Sequence, residues 1–281
     1  MSAAPQAAML PDGQRLHLHH GPIDLIIQAW GPERAACYEQ AAARFQTILT
    51  GLVSELPALR SPVSRMSIFS DPVARRMGAA VAGYKGVFIT PMAAVAGAVA
   101  DEILSAMIAG RDVPKAYVNN GGDIAFHLWG GESTVAAAPG GAIHIRAADP
   151  VRGIATSGWR GRSHSLGIAD AVTVAARSAA AADAAATLIA NAVDLPGHPA
   201  IERVPARDIA PDSDLGDREI TVSVGALTHA EITTALQNGE ALARHLVSEG
   251  KITQASLMLS GDVVVITAET ETAIQGTLAH A

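Results

Sequence analysis

The sequence predicts an α+β fold in which antiparallel hairpins carry a layer of packed helices. Three observations predict it. Runs with period-two alternation come in pairs joined by Gly-containing turns, as in RLHLHHGPIDLIIQAW at 15–30. Helical patterns separate those pairs without forming a clean parallel βαβ series. Apolar residues make up 49 % of the 281 residues but aromatics only 4 %, so the core must be assembled from Ala, Val, Ile and Leu. The length suits one large domain or two small ones. It reads as a single domain over 1–281, with 1–13 and 270–281 as frayed ends.

In chain order, Arg15–His20 and Asp24–Trp30 form a hairpin over Gly21-Pro22. His17 and His19 share one face of its first strand, because alternate strand residues point together. With His20 they can bind a metal, or they can decorate an exposed edge strand. Glu33–Glu55 has helical spacing and ends before Pro57. The Pro- and Ser-punctuated connection 57–72 offers Arg60, Ser61, Ser64 and Arg65 as phosphate ligands or as ordinary loop surface. Asp71 is an N-cap for a helix over 73–82. Val87–Thr90 reads as a buried strand. Pro91 then suits the first turn of a helix over 92–109, stopped by Gly110, whose first half is made of small residues.

Strands follow at 116–118, 124–129, 135–138 and 142–147. An alanine-rich helix ends near Val193, and 195–217 reads as a long connecting loop. Ile220–Gly225 is a strand. Thr228 and Glu231 form a capping box for a helix to about Glu249, with Gly250 as its C-cap. Ile252–Leu259 and Val263–Thr267 close the chain as a hairpin.

The formal net charge is -7 with no basic block, which argues against nucleic-acid partners and an anionic membrane surface. Cys37 is the single cysteine, so an internal disulfide and a thiolate metal cluster are excluded. The N-terminal stretch has no charged n-region with an apolar h-region. No apolar run is expected to reach the roughly 18 residues of a membrane span. These features predict a cytoplasmic protein.

The stretch 153–191 organises the rest. It begins with a Gly- and Ser-rich loop, passes through a short strand at 171–175 and enters the alanine-rich helix. Such loops offer free backbone N–H groups and hydroxyls to a phosphate. In the helix, Asp183, Thr187 and Asn191 stand at i, i+4 and i+8, so a carboxylate, a hydroxyl and an amide share one face. A polar stripe is out of place on a helix otherwise made of Ala, Leu and Ile.

Three segments, PMAAVAGAVADEI at 91–103, VNNGGDI at 118–124 and GIATSG…SHSLGIADAVTVAARSAAAADAAAT across 153–187, together resemble the ApbE-type flavin transferase superfamily, and within it the uncharacterised leaderless cytosolic branch. The resemblance implies a T-fold-like domain, internally duplicated around a flavin-nucleotide cleft. It implies FAD or FMN and Mg²⁺ as cofactors, with Asp183 and Thr187 as metal ligands and a backbone carbonyl near Val95 completing the set. It places Asn120, Gly121, Gly122, Asp123, Thr156, Ser157, Gly158 and Ser163 against the flavin nucleotide. His164 falls where the transferases carry a His that assists group transfer. Two departures weaken the transferase reading: Ala96 stands at the family's Lys position, and no D-P-x-T-G segment follows the His.

Two functions follow from the resemblance. One is a Mg²⁺-dependent FAD pyrophosphatase or FMN transferase. The other is a flavin or nucleotide-binding protein without turnover, acting as a cofactor carrier or regulator. A third reading, a Ser/His hydrolase using Ser157, Ser163 or Ser165 with His164, lacks a G-x-S-x-G elbow. The expected partner is a small-molecule nucleotide, and Ala/Gly-rich packing suits a homo-oligomer.

Overall fold

The computed structural model describes residues 4–64 and 67–267. Arg65 and the proposed frayed end 270–281 lie outside them. The strands are β1 Gln6–Met9, β2 Leu16–His20 and β3 Ile23–Trp30, followed by helices α1 Arg34–Ser54, α2 Leu56–Leu59 and α3 Pro72–Val81. A 3-10 turn, Pro91–Ala94, leads into α4 Val95–Ile108. Next come β4 Lys115–Asn120, β5 Asp123–Leu128, β6 Ser133–Ala138, β7 Gly141–Arg146, β8 Gly153–Ser157 and β9 Ala171–Ala176. The chain closes with α5 Ala179–Ala192, β10 Ile201–Pro205, α6 Ala206–Ile209, β11 Glu219–Val224, α7 His229–Ser248, β12 Gln254–Leu259 and β13 Asp262–Thr267.

Nine strands form one antiparallel sheet in the order β1-β2-β3-β4-β5-β8-β9-β12-β13. The same arrangement occurs twice. β2-β3, then α1 and α4, then β4-β5 make one half; β8-β9, then α5 and α7, then β12-β13 make the other. Each half is a four-stranded meander with its helices inserted after the second strand, so the α+β class and the internal duplication are both visible in the element order.

The helices line one sheet face over two apolar cores. The first joins the buried stripe of α1, including Phe45 and Ile48, to Leu18, Leu25 and Ile27. The second joins Ile189, Leu236 and Leu246 to Val172, Val174 and Leu257. The β6-β7 hairpin covers part of the other face, where Phe126, Ile143, Ile145 and Ile154 form a smaller cluster.

Local signals fix most helix starts. The Asp71 carboxylate accepts from Val73 and Ala74 N–H, Ser178 accepts from Ala181 N–H, and Thr228 and Glu231 make a reciprocal capping box.

Several expectations need correction. Gln6–Met9, read as part of a frayed leader, pairs with β2, so β2 is not an edge strand. Val87–Thr90 is not a strand: Val87 is half exposed, and Thr90 instead caps the turn that opens at Pro91. The long loop at 195–217 contains β10 and α6, and β10 pairs with β11. Gly153–Ser157, read as loop, is a central strand paired with both β5 and β9. The stretch Pro91–Ile108 is long and apolar enough to cross a membrane by length and composition. Its α4 part buries Ala98, Val99, Ile103 and Met107 in the first core.

Candidate functional site

The β4-β5 turn forms one wall of the site. Gly121 and Gly122 have φ of +66° and +115°, the left-handed backbone that a two-residue hairpin turn needs and that glycine adopts without strain. Asn119 Oδ1 accepts from Gly122 N–H at 2.8 Å, and Asn120 donates from its side chain to the Ala96 carbonyl at 3.1 Å. The turn is thereby tied to the start of α4. Asp123, at the turn's exit, is 8 % exposed and accepts from Thr156 N–H at 3.1 Å. That bond crosses from the first half of the sheet to the second.

The helices α4 and α5 form the floor. They exchange carboxylates at their N-termini. Asp101 of α4 accepts from Ala179 and Ala180 N–H at 3.0 and 2.9 Å, and Asp183 of α5 accepts from Gly97 N–H at 3.0 Å. Each carboxylate satisfies first-turn donors that have no partner within their own helix and meets the positive end of the helix dipole. The small-residue stretch has a matching purpose. A Cβ on Gly97 would lie 2.3 Å from the Ala179 carbonyl oxygen, and one on Gly153 would lie 2.0 Å from Ala179 N. Only glycine lets α5 seat this close.

The loop 158–170 forms the roof. Gly158 is pressed against the Asp170 backbone, where a Cβ would meet the carbonyl oxygen at 2.5 Å. Asp170 accepts from Trp159 Nε1, Arg160 Nε and Ser260 N–H. The Arg162 guanidinium lies across Gly121 and acts electrostatically on Asp123.

These walls enclose a cleft of about 510 Å³ that adjoins one of about 300 Å³, with Asp123, Thr156, Ser157, Arg162 and Ser163 lining both. The combined space is of the size that holds a cofactor. Asn120, Gly121, Gly122 and Gly158 line the larger part; His164, Asp183 and Thr187 line the smaller. The structure thus brings together the eleven residues that the resemblance implies for the site, whereas Arg60, Ser61 and Ser64 line neither part of the cleft. Asn191 is elsewhere: it accepts from Ser165 Oγ and Leu166 N–H, fastening the loop's far end. Ser165 is buried, and among the described residues His164 hydrogen-bonds to none of Ser157, Ser163 and Ser165, so a Ser-His dyad is not assembled.

Sequence reasoning missed Asp214, which accepts from Thr90 Oγ1 at 2.5 Å and reaches the cleft beside Ser213. It also missed Asp101. No spacing in the sequence announces either, since their neighbours are supplied by distant segments.

The electrostatics are those of a carboxylate pair recessed in the cleft, Asp123 buried and Asp183 half-buried. Burial pushes Asp123 up to about 7. Burial, then the facing Asp123 charge, lifts Asp183 above the usual carboxylate range. Burial likewise raises Asp101, with the Ala180 and Ala179 N–H bonds opposing it. A hydrogen bond from Asp183 opposes the rise at Asp123; the two neighbouring carboxyls, with a hydroxyl one helical turn beyond Asp183, make an all-oxygen set fit for a hard divalent cation.

A duplicated antiparallel sheet thus carries a glycine-walled, acid-floored cleft at its seam. The family model described as AbpE bacteria matches residues 7–265, and the chain belongs to that family. The likeness to ApbE-type proteins seen in the motifs is therefore borne out. The chain is 39 % identical over 134 residues to a UPF0280 protein of Methanothrix thermoacetophila, covering 44 % of this chain and 53 % of that one. It is 33 % identical over 178 residues to a UPF0280 protein of Methanospirillum hungatei, covering 60 % and 70 %. For the first three such relatives the chain spans about half of their length. A solved structure of a flavin transferase ApbE from Vibrio cholerae aligns over 95 % of this chain and 97 % of its own, at 10 % identity and a TM-score of 0.48.

Proposed function

We propose that the cleft binds a flavin nucleotide, FAD by preference, together with Mg²⁺, and cleaves its pyrophosphate to release FMN or pass it to an acceptor. The observation that carries this reading is the recessed carboxylate pair, Asp123 from β5 of one half of the fold and Asp183 from α5 of the other, lining one cleft with Thr187. Asp183, Thr187 and Asp123 would hold the metal. Mg²⁺ would supply charge neutralisation on the transferred and leaving oxygens. The residues supply the rest. Gly121 and Gly122 keep side chains out of the ligand's way, Arg162 offers a planar cation to phosphate, and Ser157 and Ser163 offer hydroxyls. His164 borders the metal end, where its imidazole could donate or accept a proton. A cytoplasmic location belongs to the same proposal.

The test is to incubate the metal-free protein with FAD, with and without Mg²⁺, and to follow FMN and AMP. Product is expected only with Mg²⁺, and Asp183→Asn is expected to abolish it. FAD that binds and stays intact would overturn turnover. A second reading, binding without chemistry, is favoured by Ala96 at the position where the transferases carry Lys and by His164, which has no hydrogen-bond partner to orient it among the described residues. It predicts a flavin-loaded protein that leaves FAD unchanged.

A further inference from the structure

We infer that His17, His19 and Asp24 form a second metal site, selective for a transition ion of the Zn²⁺ class and separate from the acidic cleft. The inference does not depend on the flavin reading. In the β2-β3 hairpin His19 pairs with Asp24 and His17 with Ile26. Alternation along the strands sends Leu16, Leu18, Leu25 and Ile27 into the core and leaves His17, His19 and Asp24 together on the opposite face. One donor atom from each of the three lies within 4.8 Å of the others. The His17 Nε2 to Asp24 Oδ1 distance is 2.5 Å, and the two imidazole rings are 6.1 Å apart between centroids. Small side-chain rotations on a paired, rigid hairpin bring such donors to a common ion.

The donor chemistry chooses the ion. Two imidazoles and one carboxylate are the ligands of Zn²⁺ and its first-row neighbours, whereas Mg²⁺ prefers oxygen alone. Three protein ligands leave coordination positions open, the arrangement of a reactive or exchangeable site rather than a closed structural one. His17 and Asp24 line a hollow of about 360 Å³ together with Leu10, Ile26, Asn119, Gly121 and Gly122. Gly121 and Gly122 also line the nucleotide cleft. One hairpin turn therefore separates the two sites, and an oxygen-donor anion such as phosphate or a carboxylate would complete the coordination from the hollow.

The test uses untagged full-length protein stripped with a chelator and titrated with Zn²⁺, and with Co²⁺ as a spectroscopic probe. One tight Zn²⁺ per chain is expected, with visible Co²⁺ bands of low coordination number. His17→Ala and His19→Ala should each weaken binding at least about 100-fold, since even outer-shell changes cost 10–100-fold. Asp183→Asn should leave this site unchanged. Asp24→Asn, which preserves shape, guards against misfolding, and the metal-free melting temperatures check each variant. Zn²⁺ binding that survives both His substitutions, or that vanishes with Asp183→Asn, would overturn the assignment.

Discussion

At Asp183 one side chain caps α4 through Gly97 N–H and also lines the cleft. Capping alone would be served as well by Asn, which keeps an acceptor and carries no charge. The charge is costly here, because burial and Asp123 both oppose it. The sign of its effect on stability follows. A carboxyl whose folded pKa is raised holds its proton more tightly folded than unfolded. The penalty is absent below the unfolded value of 3.8 and grows with pH, being complete above the folded value, which for Asp123 is about 7. Asp183→Asn is therefore expected to raise the melting temperature of metal-free protein at about pH 8, on the order of 2–4 °C for each kcal/mol recovered. The gain should shrink at about pH 5, where the folded carboxyls keep their protons and the pH has risen only a little above the unfolded value of 3.8, so less of the penalty has accumulated. Melting curves of the two proteins at both pH values, in chelator, check this; a variant less stable than wild type at the higher pH would refute it. The stripe Asp183-Thr187-Asn191 was legible because helix geometry alone aligns it. That its third member is structural was not legible, since the partners Ser165 and Leu166 come from a loop whose path no periodicity encodes.

Among the elements, the antiparallel contact of α4 with α5 sets the depth of the cleft. Its close approach rests on Gly97, where an added Cβ would strike the backbone of Ala179 and Ala180. Alanine would gain about 1 kcal/mol of helix propensity at this position. A clash with backbone has no flexible end to yield, and overpacking of this kind costs about 1–3 kcal/mol. Gly97→Ala is expected to lower stability and to weaken ligand binding together, because α5 must move and take Asp183 and Thr187 with it. Gly131→Ala is the control: a Cβ there meets nothing within 4 Å, and its stability should match wild type. Denaturant midpoints read both. Elements with strong local punctuation were legible, among them α3 with its Asp71 cap and α7 with its capping box. β8 was not. Its Gly153-Ile-Ala-Thr-Ser157 segment has the composition of a loop and becomes a strand because β5 and β9 flank it and α5 needs the missing Cβ.

At the scale of the whole molecule the two halves pack through α4 and α5, but within the sheet they meet at a short seam. β5 and β8 pair only through Ile124 with Ile154 and Ala125 with Gly153, supplemented by Phe126 N–H to the Arg152 carbonyl at 3.0 Å. Asp123 adds a side-chain link to Thr156 across the same line. The sequence motifs announced the duplication through resemblance, but the register that brings Asp123 beside the second half depends on long-range pairing that a linear pattern does not contain. On the proposed reading a ligand in the cleft would touch Gly121 and Gly122 from one half and residues between Thr156 and Ser163 from the other, and would act as an extra strap across the shortest strand pairing of the sheet. Binding to the folded state alone stabilises by about 2.7 kcal/mol at a hundredfold excess over Kd, and the gain should be felt where the strap lies. Mg²⁺ with FAD is expected to slow amide exchange at Thr156, Gly158 and the 158–163 loop. Phe45 and Ile48 in α1, already in the first core, should change little unless exchange there proceeds by global unfolding. Hydrogen exchange read by mass spectrometry with and without the pair of ligands distinguishes the outcomes. Protection confined to the β2-β3 hairpin, or none in the seam while the melting temperature rises, would mean that the nucleotide does not sit between Asp123 and Asp183.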